Sequence, residues 1–185
     1  MSILSRLLRE GSGDEPRLTF APMRRTHVKD ILAIEEQVYP KPWTAGIFNS
    51  EIDLARKGER HYVVAVLDGV VIGYGGLMFA TDEAHVTNIA VDPQWHRRGL
   101  AKRLMLRLMR EAVGHGFRAA TLEVRVSNGA AREMYRVFGF VPAGIRQRYY
   151  ENSEDAIVMW AHDIHDAAYI ERLARIEVGI EAELA

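Results

Sequence analysis

Residues 96–101 read His-Arg-Arg-Gly-Leu-Ala, and they follow an apolar run that ends at Asp92-Pro93. A helical pattern begins at about Gly99. A helix start presents main-chain N–H groups without intrahelical partners and the positive end of the helix dipole, so a strand-to-helix junction can seat an anion. Gly99 has no side chain to block close approach, Ala101 is nearly as small, and Arg97 and Arg98 add charge. A diphosphate fits that geometry. The same residues also fit a blander role, two solvated arginines beside a turn glycine. The stretch lacks the Gly-Lys-Ser/Thr ending of a P-loop and has one glycine where a dinucleotide fingerprint needs three.

Glu123 is the second residue whose type stands out. In "TLEVRV" strand alternation puts Thr121, Glu123 and Arg125 on one face and Leu122, Val124 and Val126 on the other. A carboxylate in a mostly apolar strand is costly unless it is paired or used. An ion pair with Arg125 or another arginine satisfies it, and so does service as a base. Tyr135 lies on the next helix with Ala131, Met134 and Phe138, where periodicity alone reads it as a core aromatic. His162 and His165 are three residues apart but have no third ligand, which argues for solvated side chains. His85, Trp43, Tyr149 and Tyr150 fall in segments that can border a substrate. Either Glu35 or Glu36 can attract a cationic group.

The elements that must position these residues can be read along the chain. Leu18-Thr19-Phe20 begins a strand. Thr26 is placed to cap a helix carrying Val28, Ile31, Ile34, Glu35 and Val38, and Pro40 and Pro42 end it. Thr44 heads a second helix with Ile47, Phe48 and Ile52 on one side. Asp68-Gly69 between apolar runs signals a hairpin. A fourth strand runs from Ala84 to Val91. In the long helix, Leu100, Leu104, Leu108 and Ala112 form one buried row, and Ala101, Met105, Met109 and Val113 form another. A strand over 119–126, a helix over 128–138 ended by Gly139, and two final strands complete the order βααβββαβαββ. This predicts an α/β fold, a mixed sheet with helices on both faces. After His162, Ile170, Leu173, Ile176, Ile180 and Leu184 lie at helical spacing, a tail suited to the body of the protein or to another chain. The expected division is a flexible extension over 1–16, one domain over 17–163 and a helical extension over 164–185.

The chain has 185 residues, 48% apolar and 26% charged, with a net charge of −1, so no global basic field points to nucleic acid. Without cysteine there is no disulfide framework, thiolate nucleophile or zinc–thiolate site, which agrees with a cytoplasmic location. No stretch reaches the ~18 apolar residues of a membrane span, and none is expected.

With these pieces assembled, the sequence resembles the GCN5-related N-acetyltransferase (GNAT) superfamily. Its acetyl-CoA motif, Q/R-x-x-G-x-G/A, is met by residues 96–101, with His96 departing from the usual first residue. Within the superfamily the sequence is most similar to RimI-type ribosomal-protein alanine N-acetyltransferases. The matching pieces are "PWT", "DEAHVTNIAVDP", "TLEVRVSNGAAREMYRVFGF" and "IRQRYYENSEDAIVM", together spanning about residues 30 to 160. The resemblance implies the mixed, mostly antiparallel GNAT sheet. It implies acetyl transfer from acetyl-CoA to the α-amino group of an N-terminal alanine in a small-subunit ribosomal protein.

The resemblance also implies residue roles. Ile89, Ala90 and Val91 would offer main-chain groups to the pantetheine arm. Arg97, Arg98, Gly99, Leu100, Ala101 and Lys102 would hold the diphosphate. Asn128 would contact the cofactor, Glu123 would be the base and Tyr135 the acid. The chemistry calls for such a pair: an α-ammonium, pKa ~8, must lose a proton before attack, and a departing thiolate gains one. It requires no metal, no covalent enzyme intermediate, no nucleic acid and no membrane. Two other functions remain open, the same fold acting on a small amine or lysine side chain, and a non-catalytic acyl-CoA-binding protein that docks through its C-terminal helix.

Overall fold

Asp68 and Gly69 both adopt left-handed backbone, with φ of 49° and 84°, as a two-residue hairpin turn with the right-handed twist of its strands requires. The turn sets Leu67 opposite Val70 and so the register of the first two long strands. The structure, a computed structural model, describes residues 18–182. In chain order the elements are β1 (Leu18–Pro22), α1 (Val28–Val38), α2 (Ala45–Arg56), β2 (Arg60–Leu67), β3 (Val70–Phe79), β4 (Glu83–Val91), α3 (Leu100–Gly114), β5 (Ala119–Arg125), α4 (Gly129–Val137), β6 (Val141–Tyr150), β7 (Glu154–His162) and α5 (Ala167–Ala182). This is the expected order, and the final helix falls within the extension whose apolar residues lie at helical spacing. The proposed extension over 1–16 and Leu184 lie outside the described residues.

The strands form one seven-stranded sheet, ordered β1-β2-β3-β4-β5-β7-β6. Its two faces are separated by strand alternation. Val63 and Ala65 point to one face with Leu104, Leu108 and Met109 of α3; Tyr62 and Val64 point to the other with Ile31 and Ile34 of α1 and Phe48 of α2. Helices therefore cover both faces. On β3, a Cβ added at Gly75 would lie 3.0 Å from Leu108 Cδ1, so the glycine lets α3 sit close. Thr44 caps α2 through the Ile47 N–H. Thr26 does not cap α1: a 3-10 turn, Arg25–His27, intervenes, and His27 Nδ1 accepts the Arg24 N–H instead.

Among the described strands, β4 and β5 are the parallel pair, which requires the crossover through α3. Their pairing runs only from Glu83↔Ala119 to Val86↔Leu122. Next to that point β4 carries a bulge against β3: Gly76 faces Asn88 but Leu77 faces Val86, leaving Thr87 as the additional residue. A bulge bends its strand. Beyond it the C-terminal halves of β4 and β5 part.

The tail packs on the body. Tyr169, Leu173 and Ile180 join the same buried cluster as α3, and Leu106, outside the two expected rows, is buried on that side. Each such burial contributes on the order of 1.5–3 kcal/mol. The buried stripe of α5 is rotated from the expected one: Tyr169 is inside, with its hydroxyl donating to the Phe138 carbonyl at 2.8 Å, while Ile170 is 49% exposed. Arg110 reaches from α3 to Glu177 of α5.

Candidate active site

The parting of β4 and β5 opens a cavity of about 1050 Å³. Ile89, Ala90, Val91, Arg97, Gly99, Leu100, Ala101, Lys102, Glu123, Asn128 and Tyr135 all border it. Arg98 does not; its guanidinium lies 4.6 Å from the centre of the Trp95 ring.

At one end of the cavity is the start of α3. Gly99 is its N-cap, with φ 72° and ψ 0°, and having no side chain it makes no capping hydrogen bond to the first turn. Elsewhere the chain uses side-chain caps: Asn128 Oδ1 accepts the Ala131 N–H at the head of α4. The uncapped first turn of α3 leaves its N–H groups for an outside acceptor. Arg97 is also left-handed, at φ 59°, a conformation that costs a non-glycine residue roughly 1–2 kcal/mol. His96 points inward, with Nε2 donating to the Val91 carbonyl at 2.8 Å, so the departure from the usual motif ties the loop to β4. The Tyr39 hydroxyl donates to the Ile89 carbonyl at 3.3 Å. Along this stretch β4 has no strand partner on its β5 side.

At the other end, Glu123 is nearly buried, its side chain 9% exposed. Its Oε2 lies 3.1 Å from His85 Nε2 and its Oε1 3.2 Å from an Arg146 guanidinium nitrogen. Of the two sequence readings for this carboxylate, an ion pair and a base, the geometry supplies the pair with Arg146 while leaving the group on the cavity wall. Arg125 turns elsewhere, to Glu151 at 2.7 Å and Glu154 at 3.0 Å, beneath the Tyr150 ring. Burial lowers the pKa of His85 from its ordinary value, against the pull of Glu123 and Glu83. The neutral ring that results donates from Nε2 to Glu123, and Nδ1 accepts from the Thr121 hydroxyl at 2.7 Å.

Tyr135 is core-like and site-like at once. Its ring packs near Phe140, with centroids 6.1 Å apart, and its side chain borders the cavity. Burial, reinforced by Tyr150, pushes its pKa well above the ordinary phenol value, so it stays protonated. No described residue hydrogen-bonds its hydroxyl. Tyr150 donates to the Glu123 carbonyl at 3.1 Å, and its own pKa is pushed up to about 12 by burial and by Tyr149.

Glu35, not Glu36, enters the site. It is 1% exposed, and its oxygens accept the Trp43 N–H at 2.7 Å and the Tyr74 hydroxyl. Burial raises its pKa, opposed by those two hydrogen bonds. Asn88 donates to Tyr74 in turn, at 3.2 Å. The signal was available in the sequence, a carboxylate on the apolar stripe of α1. The parts played by Tyr39 and Arg146 had none, since both depend on segments distant in sequence. His162 stacks on Trp160 and His165 pairs with Asp166; among the described residues no three His, Asp or Glu side chains converge as metal ligands. No helix of the described residues is long and apolar enough to cross a membrane.

Comparison with known proteins identifies the family to which this fold belongs. Residues 28–140 match the model of the Acetyltransferase (GNAT) family. A ribosomal protein bS18-alanine N-acetyltransferase of Escherichia coli strain K12 is 34% identical over 145 residues, 76% of this chain and 95% of the relative. The N-alpha-acetyltransferase RimI of Mycobacterium tuberculosis is 33% identical over 155 residues, covering 80% and 94%. The crystal structure of the ribosomal-protein-S18-alanine N-acetyltransferase from Escherichia coli superposes with a TM-score of 0.71 at 31% identity, over 79% of this chain and 94% of that one. With a family model matched over residues 28–140 and relatives 33–34% identical over most of their length, the chain belongs to the GNAT family.

Proposed function

We propose that the protein acetylates the α-amino group of an N-terminal alanine, that of ribosomal protein bS18, with acetyl-CoA as donor and in the cytoplasm. The observation that carries this reading is the opening of two groups into one cleft: the uncapped first turn of α3 and the carboxylate of Glu123. The relatives' activity supports the choice of acceptor. The catalytic unit would be residues 17–163 and the extension residues 164–185, whose described part packs on it through Tyr169, Leu173 and Ile180.

The residues present fit acetyl-CoA. N–H groups from Gly99 to Lys102, with Arg97 and Lys102, would hold the diphosphate. The unpaired edge of β4 over Ile89, Ala90 and Val91 would receive the pantetheine arm as an added strand, with Asn128 facing it from the head of α4. Arg98 would act at longer range, through its charge. Glu123 would take a proton from the substrate ammonium, with His85 and Arg146 fixing the orientation of the carboxylate. Main-chain N–H groups of Ile89 to Val91 would stabilise charge developing on the carbonyl oxygen as the amine bonds to carbon. As the C–S bond breaks, the nitrogen would lose its second proton to water and Tyr135 would give its proton to the sulfur, then recover one from solvent.

The test sets acceptors against one another. The protein is incubated with acetyl-CoA and, separately, an alanine-first peptide from bS18, an amino-blocked peptide with an internal lysine, and a polyamine. Acetylation of the first at least tenfold faster is expected. Preference for lysine or polyamine would replace the acceptor and keep the chemistry. Tight acetyl-CoA binding with no transfer to any amine would leave a binding protein.

A further inference from the structure

Lys102 belongs to two cavities. It borders the large cleft, and it also borders a second cavity of about 430 Å³ between α5 and the end of α4. The other walls of this second cavity are Arg172, Arg175, Ile176, Gly179 and Ile180 of α5 and Val137 of α4. Among the described residues of this wall there is no acidic side chain. Val137 is 47% exposed there, and beside Gly179 there is open space. Arg172 donates to the Val137 carbonyl at 3.3 Å, which holds its guanidinium at the cavity wall. Arg175 lies 3.7 Å from Glu171 in a long, largely exposed pair, the kind that holds a guanidinium only weakly.

We infer that this second cavity receives the 3′-phosphoadenosine end of the coenzyme. The inference rests on the acetyl-CoA reading and extends it to a part of the chain that the family match, ending at residue 140, does not reach. A diphosphate seated on the first turn of α3 places the group that follows it, a ribose with a phosphomonoester and a purine, next to Lys102. The cavity on the far side of Lys102 offers matching chemistry. Arg172 and Arg175 suit a dianionic phosphate. Val137, Ile176 and Ile180 give the purine an apolar wall. In this arrangement α5 is an addition to the domain that increases its hold on the coenzyme.

Dissociation constants for coenzyme A and for 3′-dephospho-coenzyme A, measured by calorimetry on the full chain, test this. The wild type should prefer coenzyme A by about tenfold, the scale of charge-assisted bonds partly open to water. Arg175→Ala should reduce that preference about threefold, and Arg172→Ala with Arg175→Ala should bring it close to one. Affinity for the dephospho form should stay constant throughout, which shows that the variants remain folded. Arg175→Glu, at an exposed position, should turn the preference toward the dephospho form. An equal preference in wild type and all variants overturns the inference, as does a wild type that binds both forms equally well. A wild type that binds neither form overturns the acetyl-CoA reading, and this inference fails with it.

Discussion

The two ends of the cleft are made of different material. The end at α3 is mainly main chain: an uncapped helix turn, a glycine at φ 72° and a strand edge without a partner. The end at Glu123 is mainly side chain: a carboxylate between His85 and Arg146, with Tyr150 and the Glu35–Trp43 contact around it. Main-chain donors depend little on residue identity, and this is why His96 can stand at the first motif position and serve instead to anchor the loop to Val91. A side-chain site depends on several rotamers held at once. The coenzyme end should therefore tolerate substitution, and the amine end should not.

The largest expected effect tests the amine end. Glu123→Gln should lower kcat by roughly 100-fold or more, the usual scale of a general base, while the Kd for acetyl-CoA stays within about twofold. Loss of coenzyme affinity in this variant would erase the distinction between the two ends. Equal activity of this variant and the wild type across pH would remove Glu123 as the base. Tyr135→Phe should lower kcat by about tenfold or more and leave thermal stability nearly unchanged, because no described residue depends on that hydroxyl. Unchanged turnover would return Tyr135 to a core role.

Gly99→Ala tests the main-chain end. Left-handed backbone costs alanine about 1–2 kcal/mol, so the variant should lose that much stability in urea denaturation. Its Kd for acetyl-CoA should rise roughly tenfold, with kcat at saturation retained. The next effect is a pH dependence. The folded-state pKa of His85 lies below its ordinary 6.5, so the unfolded chain binds the proton more readily. Stability from this group is complete above about pH 6.5 and is lost as pH falls toward the depressed value. His27 and His61, both lowered chiefly by burial, act in the same direction. His85→Asn should make the loss between neutral pH and pH 5 shallower; an unchanged slope would place the linkage in the other two. The smallest effect belongs to the arginines. Arg97→Ala should weaken acetyl-CoA binding by about threefold at low salt, and Arg98→Ala by less, because Arg98 does not border the cavity.

Periodicity and turn chemistry made most of the fold legible. The Asp68-Gly69 hairpin, both buried rows of α3 and the order of eleven elements all follow from local rules, and so does the glycine at the helix start. What escaped depends on contacts between distant segments. The bulge at Thr87 arises from the pairing of β3 with β4, and nothing in "HVTN" marks it. Arg146 meets Glu123 only because β6 and β5 flank β7. In the tail, Tyr169 displaces Ile170 from the interior because the Phe138 carbonyl offers its hydroxyl a partner, so an amphipathic residue takes the place that hydrophobicity alone would give to isoleucine. Glu35 was visible as a misfit on an apolar stripe, but its partners, Trp43 and Tyr74, were not.

Four residue pairs, Glu83↔Ala119 to Val86↔Leu122, are the whole ladder between the two halves of the sheet. So short a seam is the one main-chain ladder that joins β5, β7 and β6 to the other described strands. A ligand chain laid in the gap would bridge both banks and lengthen the seam. Amide exchange in β5 and β7 should then slow when coenzyme is present, even at residues that never touch it. The place where the sheet comes apart would be where its substrate joins it.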